Sequence, residues 1–570
     1  MKSVVDYAKK NKLLLLVILP AFFSYLSVIF PSGSYYCFGG DCGIYFFGAQ
    51  GRDAIWHLAI IENSFNKIPF VNPVFSGEKL YGYNWLLDWL IFLLTKLGMS
   101  SVTAYFRFLP IVWFILFTFL LIFFARKIKN NPLFVMLFLL LSYFAGSFSY
   151  LLTLFHTGSI KGSSLLFPQP VIHMMSNLSY AFSLLLFLPI LIILKAGKLN
   201  FQKIIHIGVC LFLIMGLKFY GGAISVFLVF TYVILSNISQ EAGMIIKFKY
   251  LLIISLSVIA GLLFFYDPLR SLKTGQIFGF SPFALVHTIT ESPNLFYLRG
   301  LTNARYFIQA QGKIGPRLIV IESLNLFLFL FFYLGTRFFG FFYTGFLLVK
   351  KKLDKFDTAV ISAILFSILL TVMLVQKGVW WNTIQFLFYA IFLLTIYLAE
   401  MVFNLIKTGR IQRLLIGVLL ILSSVPTSYD LAFHQRRTSP VFIPTPEIEA
   451  LKFLKKLPEG IVFISNREEL SKNINDPIPL SNFQDSSYIA AFTGKRLYFA
   501  EAQTLGVMGV DYKQRLQRIK KKDCTVLEEV GYVYEIRNFP KVDKILARCK
   551  PKNSKIVFKN ESVIIYSMMK

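Results

Sequence analysis

Long apolar runs alternate along this chain with short loops that carry lysine and arginine. Many of the runs approach the roughly 20 apolar residues that a helix needs to cross a bilayer. Read in order they cover 13–30, 106–124, 132–152, 171–194, 204–217, 219–235, 250–266, 324–349, 358–375, 380–403 and 414–425. Lysines 2, 9, 10 and 12 precede the first run, and no small-residue cleavage site follows it, so it reads as a retained span rather than a signal peptide. Basic loops tend to face the cytoplasm. Placing Lys12, Arg126, Lys195, Lys249, Lys350 and Arg410 on that side predicts a polytopic α-helical membrane protein. It would have about 11 transmembrane helices, with the N-terminus in and the C-terminus out. The apolar segment 84–99 is short and carries Asp88 and Lys96, which predicts a helix lying along the interface rather than a span.

Two outer loops then stand out, 31–100 and 267–321, both belonging to a transmembrane region 1–428. From Thr427 the pattern changes, and 429–570 reads as a small extracytoplasmic α/β or α+β domain. Thr445-Pro446-Glu447 has the pattern of a helix N-cap with proline in the first turn, opening a helix to Leu457. Short strands are expected at 461–465, 488–491, 496–499, 532–536 and 563–566, with a basic helix at 514–522.

Composition supports the membrane reading: 56% of residues are hydrophobic and 17% aromatic, far from average soluble usage. The net charge of +29 comes from the loop lysines and arginines, and no basic motif points to nucleic acid. The pairs Cys37 with Cys42 and Cys524 with Cys549 lie in regions placed outside, where an oxidising compartment would suit them; pairing itself cannot be read from sequence. No histidine accompanies either pair at zinc-ligand spacing.

Acid–base chemistry needs a group that can accept a proton near neutrality, usually histidine or a carboxylate. Thirteen of the 29 acidic residues precede Thr427, and eight of these fall on the outer side: Asp41, Asp53, Glu62, Glu78, Asp88, Asp267, Glu291 and Glu322. Four of them lie in the polar, aromatic-rich stretch 51–88. Asp53 is the candidate base. If 54–64 is helical, Asp53 caps it and His57 follows one turn later on the same side. The plain alternative is a capping aspartate with an interfacial histidine. Trp85 and Tyr81 serve equally as an interfacial belt or as sugar-stacking rings. Within the apolar runs, His173 and Lys218 are the outstanding ionisable groups, and Asn177 with Ser176 and Ser179 suggests hydrogen bonds between helices.

An acidic residue just beyond the first span is followed by Asn72-Pro73, then Gly77-Glu78-Lys79-Leu80-Tyr81, Tyr83-Asn84-Trp85 and an apolar helix. This arrangement resembles the GT-C membrane glycosyltransferases, which include protein O-mannosyltransferases, lipid A aminoarabinose transferases and a bacterial group acting on cell-envelope polymers. Gly378–Phe386 (GVWWNTIQF) resembles a segment of uncharacterised bacterial members. The resemblance implies a hexosyl- or pentosyltransferase of a bacterial plasma membrane. A polyprenyl-phosphate sugar is the implied donor, and an envelope lipid, glycan or protein the acceptor. Asp53 stands where the family's first-loop aspartate binds or deprotonates the acceptor, with His57 assisting. Glu62, Glu78, Lys79, Tyr81, Trp85 and Asp88 are the implied substrate contacts. Arg305 and Arg317, ahead of His287, Arg299 and Lys313, would meet the leaving lipid phosphate, since phosphate recognition favours arginine or lysine. The sequence lacks the mannosyltransferases' Asp-Glu pair, because Ala54 follows Asp53, and lacks the two prolines of the aminoarabinose transferases' Glu-Lys-Pro-Pro-Leu stretch. No cofactor follows with certainty; a divalent metal and the acceptor class stay open. Other classes are a flippase or transporter of lipid-linked sugars, a polymerase or ligase acting through the 267–321 loop, and a non-catalytic scaffold.

Overall fold

The computed structural model describes residues 7, 11–163, 174–236, 242–273, 277–293, 297–312, 315–434, 440–465, 477–482, 486–537, 548–549 and 554–569. His173 and Lys313 lie outside the described residues. Two compact units emerge. One holds Met1–Val28, Val112–Phe264 and Phe278–Gln435; the other holds Ile29–Ile111, Phe265–Ile277 and Arg436–Lys570.

The first unit is helical. Among the described residues of the chain, eight helices are long and apolar enough to cross a membrane, or nine if the pair Pro132–Phe144 and Ser149–Thr157, bent by 48°, forms one span. Phe201–Leu217, Phe219–Leu235 and Arg337–Val349 are shorter apolar helices. Polar residues at the helix ends satisfy backbone N–H groups that the helix itself leaves open. Asn131 accepts from Leu133 and Phe134, Asn200 accepts from Lys203, and Asp354 with Asp357 forms a reciprocal capping box. Asn177 does the same for Tyr180, its side-chain oxygen accepting as the helix N-cap.

Residues 324–349 were expected as one span. They belong instead to two helices, Pro316–Leu334 and Arg337–Val349, parted at Gly335. Gly335 sits at φ +58°, and a Cβ there would come within 2.2 Å of the Gly146 carbonyl oxygen. Only glycine tolerates both the left-handed backbone and the close approach. The 267–321 loop is likewise structured, with helices Pro268–Lys273, Ala284–Thr290 and Arg299–Ala310.

The second unit begins with a hairpin in the outer loop that follows the first apolar run. Strands Ser34–Phe38 and Asp41–Phe46 pair antiparallel with Cys37 opposite Cys42, and these two cysteines are disulfide-bonded. Asp41–Phe46 pairs antiparallel with Val441–Pro444, and that strand in turn runs parallel to Ile478–Pro479. A second sheet carries the order Val462–Ser465, Tyr532–Ile536, Val563–Ser567, Lys555–Lys559, with only the first pair parallel. Phe463, Tyr498, Val526, Leu527, Val530 and Val533 form the core beside it, and Cys524 is bonded to Cys549.

Three local expectations change here. Tyr488–Thr493 is a helix, not a strand: its residues are buried on both faces and it packs on the first-loop helix Asp53–Asn63, with Asn63 Nδ2 donating to the Ala490 carbonyl at 2.9 Å. Residues 496–499 form single-residue bridging contacts rather than a regular strand, Leu497 N donating to Pro73 O and Tyr498 N to Val462 O. Pro444 rather than Thr445 is the N-cap of Thr445–Lys456, because the Thr445 hydroxyl is taken by the Cys42 carbonyl. Segment 84–99 holds the 11-residue helix Leu86–Lys96.

Gly335→Ala should lower stability by about 1–3 kcal/mol through strain and overpacking, read as a drop in melting temperature in detergent. An unchanged melt would show that the close approach to Gly146 does not constrain the junction.

Candidate functional site

Helix Asp53–Asn63 starts after Arg52, so Asp53 is its first residue rather than its cap. An acidic side chain in the first turn is still favoured by the unpaired N–H groups and the positive end of the helix dipole. Asp53 is exposed. One turn on, His57 is 2% exposed and faces Asp88, which is fully buried in helix Leu86–Lys96. His57 Nδ1 lies 2.8 Å and 3.0 Å from the two carboxylate oxygens of Asp88. With Asp88 ionised, Nδ1 is the donor, and Nε2 is left as the basic nitrogen of the neutral ring. Burial holds the Asp88 carboxyl above the usual carboxylate range, against the opposing pull of His57.

Two tyrosines flank the pair. The Tyr83 and Tyr105 rings lie 5.9 Å and 6.0 Å from the imidazole. The Tyr83 phenol is held well above its ordinary value, first by burial and then by the negative charges of Asp88 and Asp53, which puts both carboxylates in electrostatic reach of one hydroxyl. The Tyr105 hydroxyl is buried and has no hydrogen-bond partner among the described residues. Asp53, His57, Asp88, Tyr83 and Tyr105 therefore form one cluster, with an exposed acid at its edge and a carboxylate–imidazole pair beneath.

A second cluster gathers the rest of the first loop. Arg270 pairs with Glu78, and its guanidinium lies 4.7 Å from the centre of the buried Tyr81 ring. Lys79 is exposed beside it. Trp85 is buried against Phe70, Phe65 and Phe265, which gives it a packing role rather than a face open to sugar. Glu62 is half-buried and accepts from the Ser101 hydroxyl at 2.6 Å. Arg515 stacks on Phe75 at 3.9 Å and donates to the carbonyls of Ser76 and Tyr498. Arg270 and Arg515 escaped the sequence reading; the only signal was a cation at the start of an outer loop and another in a basic helix.

Arg305 and Arg317 belong to the first unit. Arg305 is 4% exposed, pairs with Glu291 and donates to Gln309 at 2.7 Å. Arg317, at the second position of Pro316–Leu334, is exposed. His287 Nε2 sits 2.7 Å from Glu322. Among the described residues, no group of three or more His, Cys, Asp and Glu could hold a metal ion.

Comparison with protein-family models and with curated proteins gives no match. Among solved structures, the chain is similar to the archaeal oligosaccharyltransferase AglB of Archaeoglobus fulgidus, solved with an inhibitory peptide and a dolichol-phosphate. The TM-score is 0.50 at 12% identity, over 93% of this chain and 70% of that one. It is also similar to ArnT from Cupriavidus metallidurans bound to undecaprenyl phosphate, with a TM-score of 0.40 at 11% identity over 99% and 98% of the two chains. The ArnT likeness is too loose to support anything further. The AglB likeness shows the fold alone: this chain shares the fold of that structure.

Two outcomes test the cluster. Removing one partner of a buried, hydrogen-bonded pair strands the other. His57→Ala, which leaves a buried carboxylate alone, should destabilise by about 3–5 kcal/mol, and Asp88→Ala, which leaves a neutral ring, by about 1–3 kcal/mol. The double variant should lose less than their sum, by about 0.5–3 kcal/mol; strict additivity in thermal melts would sink the pairing. The second outcome concerns pH. A carboxyl whose folded pKa is raised keeps its proton where the unfolded chain has released it, so its contribution to stability is present at low pH and lost as pH rises through that window. Replacing Asp88 by Asn should flatten this part of the melting-temperature profile, and an unchanged slope would contradict a raised Asp88.

Proposed function

We propose that this chain is a membrane glycosyltransferase moving a sugar from a polyprenyl-phosphate donor to an envelope lipid, glycan or protein. Supporting it most directly is the exposed Asp53 at the start of the helix that also carries His57, whose imidazole is oriented by the buried Asp88. That assembly stands in a chain that shares the AglB fold and is rich in helices long and apolar enough to cross a membrane. Asp53 accepts the proton of the acceptor hydroxyl as that oxygen attacks the anomeric carbon. The polyprenyl phosphate departs from the opposite side, and the configuration inverts. His57, oriented through Nδ1 by Asp88, assists Asp53 from the same helix. Cationic groups stabilise the leaving phosphate; in the second unit the proposed one is Lys79, and in the first unit, taken by itself, the candidates are Arg305 and Arg317. Lys79 and Arg317 are exposed, whereas Arg305 is already drawn onto Glu291 and Gln309. Tyr81 and Glu78, steadied by Arg270, and Glu62 are proposed sugar contacts.

The protein sits as a multi-pass component of the plasma membrane, with residues 1–428 as its transmembrane region and 429–570 as an extracytoplasmic domain. Two disulfides, Cys37–Cys42 and Cys524–Cys549, favour an oxidising side for the segments that carry them.

The test is turnover of a panel of polyprenyl-phosphate sugars by purified protein, following release of free polyprenyl phosphate with and without envelope extract as acceptor. Wild type should release it. Asp53→Asn should fall by at least about 100-fold, the scale of a lost general base, with an unchanged thermal melt. Equal turnover by both proteins would remove Asp53 from the chemistry, and no turnover or donor binding by wild type would overturn the transferase assignment.

A further inference from the structure

The first unit buries a charge inside the apolar segment 324–349. Arg337 is 2% exposed. Its one hydrogen bond among the described residues runs from Nε to Thr395 Oγ1 at 3.0 Å, and none of the ion pairs among those residues includes it. A guanidinium carries five N–H donors, so most of its capacity is unspent. A buried, uncompensated charge is strongly unfavourable. The groups around it are hydroxyl-bearing: Tyr25, Tyr180 and Tyr333 interact electrostatically with it, and the adjacent Thr336 hydroxyl is fully buried without a partner among the described residues.

Its position in the helix bundle is equally unusual. Pro132–Phe144, Arg337–Val349 and Ile411–Ser423 each have 13 residues. Each has one end beside basic residues, at Lys129, Lys350 and Arg410, and runs roughly 20 Å from there at 1.5 Å per residue. All three stop at a common level. Gly146 N donates to the Ser424 carbonyl at 3.1 Å, Phe148 N to the Phe332 carbonyl at 2.9 Å, and the Thr427 hydroxyl to the Ser147 carbonyl at 2.8 Å. Three helices are thus interrupted together and stitched to one another by backbone groups. Thr395, which holds Arg337, lies near the middle of Gln385–Lys407, at a comparable depth. Non-helical backbone at such depth persists only where protein or a polar cavity surrounds it, and interrupted helices with their N-terminal ends exposed are suited to anions.

We infer that Arg337, at the start of its helix within this junction, is the seat of a phosphate-class anion. The two remaining guanidinium nitrogens offer the parallel donors that two oxygens of a tetrahedral anion accept. The Thr336 and Tyr333 hydroxyls supply donors for the others, those of Tyr25 and Tyr180 being drawn onto the carbonyls of Tyr143 and Phe388. The breaks at 145–148, at Gly335 and at Ser424 allow the shell to part around the anion without unwinding a helix. The anion is either the head of an isoprenoid phosphate or free phosphate. The inference does not rest on sugar transfer, since occupancy is read without turnover.

The experiment is calorimetric titration of full-length protein in detergent with geranylgeranyl phosphate, inorganic phosphate and geranylgeraniol. Wild type should bind the isoprenoid phosphate or inorganic phosphate and not the alcohol. Binding of the isoprenoid phosphate alone identifies a lipid head, and binding of both identifies a site for the anion itself. Arg337→Lys keeps the charge but loses the fork, and should weaken binding at least about tenfold. Arg337→Met should abolish it. If the methionine variant fails to fold, the lysine variant and Thr336→Val, which should weaken binding without removing charge, carry the comparison. Wild type binding neither phosphate, or equal affinities in wild type and the folded variants, would overturn the assignment.

Discussion

A carboxylate taken wholly out of water must find a partner, and in the second unit that requirement organises the first loop. Asp88 has no exposed surface, and its two oxygens converge on one nitrogen of His57. The pair joins helix Asp53–Asn63 to helix Leu86–Lys96 across a polar loop of more than twenty residues. Once that join is made, Tyr83 and Tyr105 are brought against the imidazole, and the exposed Asp53 stands at the rim of a site whose interior is already polar. The same helix is also tied by Asn63 to the backbone of Tyr488–Thr493, so its orientation is fixed at two points.

Much of this was legible in the residues. The apolar runs announce a polytopic bundle because a helix must satisfy its own backbone in lipid, and that demand is written in length and composition. Asp53 and His57 were legible because they share a helix face. Asp88 was harder: a carboxylate inside LLDWLIFLLTK reads as an interfacial anion until its partner, 31 residues earlier, is seen. Arg337 was hidden for the opposite reason. It sits in an apolar run long enough to be read as one uninterrupted span, and only the backbone at Gly335 shows the run to be two helices. Tyr488–Ala491 was misread because its small and apolar residues suit a strand, whereas long-range packing on the first-loop helix decided for a turn and a half of helix.

The two units place charge by different means. In the second, cations sit on aromatic faces and carbonyls, as Arg270 does on Tyr81 and Arg515 on Phe75 and Tyr498, and charge is neutralised close to where it arises. In the first, His287 pairs with Glu322 and Arg305 with Glu291, while among the described residues the one hydrogen bond of Arg337 goes to a threonine hydroxyl. Among the described residues Lys495 is also buried without an ion pair, but it reaches two backbone carbonyls, whereas the guanidinium of Arg337 has five donors and one hydrogen bond.

The sheet shared by Asp41–Phe46 and Val441–Pro444 has a consequence for biosynthesis. The hairpin is made early, but the strand that completes it lies almost four hundred residues later. At a synthesis rate of about 5–20 residues per second, the outer edge of Asp41–Phe46 waits roughly 20–80 s for its neighbour while the bundle is inserted. An unpaired strand edge is a template for wrong partners. Nascent chains paused before Val441 should therefore be the stage at which this protein depends most on chaperones, and the shortest truncation that escapes that dependence should end beyond Pro444.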